Sequence, residues 1–291
     1  MHSYLRAIGF SNIKRDKELE PLLKEVSDHC DKKVAVKEDT GSEFIELSKE
    51  FGPDIGITVC GEKDEDGFHR EYYFPYMKGS GVTTREDVGI EKHGPRDSYA
   101  GVCEDMRVGV SLIFYLQNAA EYKKECFQYK IKGKSVSTTF AGLSLQGKVL
   151  LPICKSKEQI VSDREATANR SHLIAAARKG DEEAMESLTL EDIDTYTMVS
   201  RRIQNEDVFT IVDSFFMPYG MECDQYQILG EILECQKQSN SVTGEKIFQM
   251  RIDCNGMQFN ICINEKDLLG IPEEGRRFKG TVWLQGCLNF S

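Results

Sequence analysis

Apolar and polar positions change rhythm three times along the 291 residues. In the first part, "KELEPLLKEVSDHC" (17–30) sets Leu19, Leu22, Leu23 and Val26 at helical spacing. Pro21 suits only a first turn, which puts the predicted start near Glu20. "SEFIELSKEFG" (42–52) reads as a second helix, with Ser42 as N-cap and Gly52 as its stop. "YLRAIGF" (4–10) reads as a strand or short buried segment, and "VAVKE" (34–38) as a strand. "DIGITVCG" and "FHREYYFPYM" form a hairpin through Asp66-Gly67. Six glycines and prolines then mark residues 78–105 as a long loop. Beyond it, Val108, Val110, Leu112, Phe114 and Leu116 alternate as one face of a strand. "FQYKIKGKSVSTTF" and "GLSLQGKVLLPI" add hairpin-like strands that turn at Lys132-Gly133 and Gln146-Gly147.

From Lys155 to Gln204 the rhythm becomes helical, with a break at Lys179-Gly180-Asp181. Five strands follow: 208–216, 226–236, 246–254, 257–264 and 276–286. Asn255-Gly256 is the strongest hairpin signal among them, since both turn positions need φ > 0. The pattern predicts an α+β protein in three units. These are a mixed α/β domain (1–155), a helical hairpin connector (156–205) and a small five-strand barrel (206–291), OB-like or SH3-like. An open five-strand sheet on the hairpin fits almost as well.

Composition narrows the class. The formal charge of −11 disfavours nonspecific contact with nucleic acid or anionic membrane. One stretch runs against it: between Tyr122 and Lys157 eight lysines face a single acid, Glu125. Lys130, Lys132 and Lys134 alternate on one strand face there and form a candidate anion contact. A solvated or lysine-guarded edge explains the same pattern, and the absence of arginine forks weakens a nucleic-acid reading. No apolar run is long enough to span a membrane, and the N-terminus has no signal-peptide pattern. The ten cysteines form no C-x-x-C pair, so they read as free thiols of a reducing cytosol rather than a disulfide framework or zinc site.

Motifs of chemistry fail on inspection. "EKDEDGFHREYY" would put Tyr73 where a calcium loop needs its last carboxylate. "GKS" (133–135) lacks the leading glycine and helix of a P-loop. No metal site, catalytic residue or cofactor motif emerges. His69, His93 and Cys103 surround the glycine-rich loop and could share a pocket. In "SFFMPYGMECDQYQILGEI" (214–232), Cys223 sits between Glu222 and Asp224. Negative charge disfavours a thiolate, and Pro218 with Gly220 is turn chemistry. The stretch therefore reads as a joint between strands, with Tyr219 and Met221 as candidate groove residues.

The opening "MHSYLRAIGFSNI", the stretch "DTYTMVSRRIQNEDVFTIVDSFFMPYGMECDQYQILGEI" and "FKGTVWLQG" resemble an uncharacterised domain-of-unknown-function family of anaerobic Gram-positive bacteria over nearly the whole chain. The resemblance implies a bacterial cytosolic protein and carries no catalytic residues. The expected function is a non-enzymatic binding or regulatory protein that contacts protein or itself. The alternative is a small-molecule-binding protein or enzyme with a pocket beside residues 78–105, and a weaker one is nucleic-acid binding.

Overall fold

The computed structural model describes residues 2–37, 41–65, 67–92, 98–128, 136–153, 157–177 and 179–290. Over these residues it is a mixed α/β fold with fourteen strands in two sheets. The first sheet is an antiparallel meander of β1 (Lys32–Lys37), β2 (Glu43–Gly52), β3 (Ile55–Asp64) and β4 (Gly67–Met77). The expected hairpin is present, with Asp64 opposite Gly67.

Residues 42–52 form the strand β2, not a helix. Phe44, Ile45, Leu47 and Phe51 are all buried, because β2 lies inside the sheet with a helix over each face. A strand covered on both sides loses its alternation, and its apolar run then imitates a helical pattern. One cover is α1 (Asp16–Asp28), which buries Leu19, Leu23 and Val26. It starts four residues before Glu20, because the Glu18 carboxylate accepts the Lys14 and Arg15 N–H groups and closes the N-terminus. Residues Ser3–Ile8 form a buried 3-10 turn. The other cover is α2 (Ala119–Gln128), whose Lys123 ammonium lies 4.4 Å from the centre of the Phe44 ring. Phe127 and Gln128, expected in a strand, belong to this helix.

The second sheet has ten strands. They are β5 (Val88–Lys92), β6 (Tyr99–Asp105), β7 (Val110–Leu116), β8 (Val136–Leu150), β9 (Phe215–Pro218), β10 (Gln225–Ser239), β11 (Lys246–Cys254), β12 (Met257–Asn264), β13 (Leu268–Leu269) and β14 (Arg277–Phe290). β5 and β6 occupy part of the expected loop. Gly101 is no loop marker: it faces Phe114 across β6–β7, and a Cβ there would overlap the ring. Likewise β8 runs straight through Gln146-Gly147, with no turn. Gly147 and Gly280 oppose each other across β8–β14 and leave room for the buried Phe278 ring. Residues 208–216 are not one strand. Val208–Ile211 form a single helical turn, α5, capped by Asp207, and β9 follows.

β8 pairs β14 over its whole length and also runs parallel to β12. It lies in the first of the three expected units, whereas its partners lie in the last. β10 bonds both β11 and β14, and β11 bonds β12. Asn255 and Gly256 both take positive φ (55° and 80°) in the β11–β12 turn, as that dipeptide predicts. Two helices, α3 (Lys157–Ala177) and α4 (Glu182–Arg202), fill the interval between β8 and α5. Buried amides tie the second sheet to the first and the segment after β10 to the N-terminal 3-10 turn. Gln285 donates to the Pro75 carbonyl (2.9 Å), and Asn240 donates to the Ile8 carbonyl (2.8 Å). No helix is long and apolar enough to cross a membrane among the described residues.

Candidate functional site

Register on the first sheet places Glu46, Cys60 and Tyr72 side by side, then Ser48, Thr58 and Phe74, then Glu50, Gly56 and Tyr76. Alternation puts all three rows on one face, the face turned toward α2 and the second sheet. Between the last two rows and the ends of β8 and β14 lies a cleft of about 270 Å³. Thr139, Cys287 and Asn289 close it from the second sheet, and Gln117 and Asn118 from the entry to α2.

The cleft is polar but ordered. The Ser48 and Thr58 hydroxyls lie 2.9 Å apart. Asn289 donates to the Thr139 hydroxyl (3.0 Å), and Gln117 donates to the Met77 carbonyl (2.8 Å). At the rim Lys78 pairs with Glu50, whose N–H donates to Asp31 at 2.7 Å. Lys32 reaches Glu121 at 2.7 Å. Phe74 and Tyr76 supply an apolar wall.

Behind the cleft the first row forms a buried titratable cluster. Glu46 is 5% exposed, and burial raises its carboxyl to about 8, with Glu121 pushing the same way. The N–H groups of Ala120 and Ala119, at the start of α2, and the Lys32 charge oppose that shift. Its Oε1 has no hydrogen-bond partner. Burial also raises the Cys60 thiol and the Tyr72 and Tyr115 phenols, with Tyr72 hydrogen-bonded to both neighbours. Cys287, on the cleft wall, is pushed up to about 11 by burial. At neutral pH this region holds a protonated carboxyl, neutral thiols and neutral phenols. It offers hydrogen bonds, not an activated nucleophile. Among the described residues no cluster of His, Cys, Asp and Glu is placed to hold a metal.

The residues singled out from sequence lie elsewhere. His69 is exposed near the β3–β4 turn, 3.2 Å from Asp64. Cys103 is buried in β6 of the other sheet, its thiol raised to about 12 by burial and Asp105. His93, Lys130, Lys132 and Lys134 fall outside the described residues. Tyr219 and Met221 both lie in the exposed β9–β10 turn, where the Tyr219 N–H donates to the Gln225 carbonyl at 2.9 Å and the Met221 side chain is fully exposed. That turn is the joint the sequence predicts: Pro218 pairs Tyr226, and Asp224 accepts the Trp283 indole N–H at 2.6 Å. Ser48 and Glu50 are hidden in the sequence because residues 42–52 imitate a helix, while Thr139, Cys287 and Asn289 reach the cleft only through the distant pairing of β8 with β14. Read with period two, "EFIELSKE" puts Glu46, Ser48 and Glu50 on one face, and an acid between Ile45 and Leu47 is itself a signal.

Nine cysteines are free thiols among the described residues; Cys126 and Cys223 are exposed, and Cys60, Cys103, Cys254 and Cys262 are buried. Brief alkylation of the native protein, read by peptide mass spectrometry, should modify Cys126 and Cys223 and spare those four. Equal labelling of Cys60 and Cys223 would contradict the packing described.

No curated protein and no solved structure matches the chain. A family model does, over residues 5–286, nearly the full length. The chain thus belongs to the family described as "Domain of unknown function, E. rectale Gene description (DUF3881)".

Proposed function

We propose that this is a non-enzymatic binding protein whose inter-sheet cleft takes a small polar ligand. The observation that carries the reading is the lining. Hydroxyls of Ser48, Thr58 and Thr139, amides of Gln117, Asn118 and Asn289, and charges of both signs converge on about 270 Å³. That volume equals roughly nine waters and lies at the small end of ligand sites. It suits a compact molecule with donors and acceptors all round, one face resting on Phe74 and Tyr76. The cleft begins at Lys78 and Gly79, beside the 78–105 stretch that the sequence marks for a pocket. The neutral Cys287 thiol supports binding over covalent chemistry.

The architecture proposed around it is a five-strand barrel of β8, β12, β11, β10 and β14, with α3 and α4 as a helical hairpin. Its support is the run of pairings that returns from β14 to β8. The parallel β8–β12 pair fits a Greek-key, OB-like closure. β8 takes the place that the sequence gives to 208–216. The free thiols support the bacterial cytosol as its compartment, and the net charge of −11 supports partners other than nucleic acid.

A native mass spectrum of gently purified protein should show a small non-covalent adduct. The variant Thr58→Leu/Asn289→Leu, which fills and dries the cleft, should lose it while keeping the wild-type circular dichroism. A bare wild-type mass, with no thermal shift from a panel of amino acids, organic acids and nucleosides, would count against the cleft.

A further inference from the structure

The helix α4 has two unlike faces. One packs on α3: Ala184 is buried, and Glu191 and Asp192 meet Arg170 at 3.5 and 2.7 Å. At 100° per residue the opposite face carries Glu182, Glu186, Leu190, Ile193 and Arg201, with Tyr196 at its edge. Leu190, Ile193 and Tyr196 are 57%, 56% and 76% exposed. Three large apolar side chains in successive turns are more than scattered surface residues explain. Of the charges around them, Glu182, Glu183 and Glu186 stand at the N-terminal end and Arg201 at the C-terminal end, while Asp194 lies beside Leu190 between them. None of Glu182, Glu186 and Arg201 makes an ion pair among the described residues.

We infer that this face is an interface between two copies of the chain, with α4 packed antiparallel on α4 about a two-fold axis near Ile193. In that arrangement Ile193 meets its counterpart, and Leu190 of one copy meets Tyr196 of the other. Arg201 falls opposite Met185, beside Glu182 and Glu186 of the partner helix. Symmetry repeats the contact at the other end, since the same patch serves both copies. The helix dipoles also run antiparallel. A parallel arrangement would set acid on acid and Arg201 on Arg201. The charge order therefore selects a second copy in one orientation rather than an unspecified apolar partner. The patch is small, so the dimer is weak and in the micromolar range, at the low end of specific interfaces.

Sedimentation velocity across a concentration series up to ~0.5 mM tests this on the full chain. Wild type should shift from monomer to dimer, and Ile193→Arg should weaken association at least about tenfold. Arg201→Glu alone and Glu182→Lys/Glu186→Lys alone should each weaken it similarly, since each sets like charges together. Mixing the two charge variants should restore a dimer, because both ends are then complementary. All four substituted sites are on the surface, and circular dichroism confirms that each variant is folded. A wild-type monomer throughout the series would overturn the proposal. So would a dimer that ignores Ile193→Arg, or charge variants that fail to recover on mixing.

Discussion

Replacing Glu46 with glutamine should leave stability little changed at pH 5 and raise it markedly at pH 8.5. Burial lifts the folded-state carboxyl from 4.5 to about 8. Between those values the folded protein keeps a proton that the unfolded chain has released, so stability falls as pH rises through that window. Below about pH 4.5 both states are protonated, and above about pH 8 both are ionised, so the curve is level outside it. At 1.36 kcal/mol per pH unit, the full loss reaches as much as about 5 kcal/mol. Glutamine keeps the shape and cannot ionise, so the variant lacks this slope. Lys32, Glu121, Cys60, Tyr72, Tyr115 and Cys287 surround the site in both proteins. Subtracting the two urea-unfolding profiles leaves the Glu46 term. Parallel profiles from pH 5 to 8.5 would show that Glu46 is solvated, and the buried cluster behind the cleft would lose its basis.

The second large effect concerns Phe278. Its ring is fully buried, with Gly147 and Gly280 cleared around it on facing strands. Phe278→Ala should cost about 3–5 kcal/mol, through lost burial and an unfilled cavity. Gly147→Ala should cost about 1–3 kcal/mol, because the new methyl group overlaps a ring held on all sides. The two defects cancel in part. In the Phe278→Ala background the methyl enters vacated space, and Gly147→Ala should become nearly neutral. A double-mutant cycle in guanidinium measures the coupling. Strictly additive costs would mean that Gly147 serves the backbone of β8 and not the ring.

Both sites depend on partners that no single segment of the sequence contains. Gly147 imitates a turn residue because Gln-Gly between apolar runs is turn chemistry in isolation. Its true partner, Phe278, is 131 residues away, and nothing near Gly147 announces it. Glu46 is hidden by the same mechanism at shorter range. Its strand is covered on both faces, so the apolar run around it had no alternation to reveal which side the acid took. Gly101 repeats the lesson, read as a loop residue when it makes room for Phe114. The proposed pocket of His69, His93 and Cys103 relied on proximity along the chain. The fold separates His69 and Cys103 onto different sheets.

What could be read from the chain was local or additive. Asn255-Gly256 sets its hairpin through the φ values its own residues prefer, and Gly180 breaks the helical stretch through its own backbone freedom. Val110 to Leu116 declare a strand because one of its faces is less buried than the other, whereas Val108, expected in the same strand, lies in the turn before it. Net charge, free thiols and the lack of long apolar segments needed no coordinates. The fold settled which distant strands meet, which side of β2 faces the cleft, and how far into the interior Glu46 is carried. Those outcomes depend on pairing energies between residues far apart in sequence and on burial from two layers at once. A reading of one segment at a time contains neither.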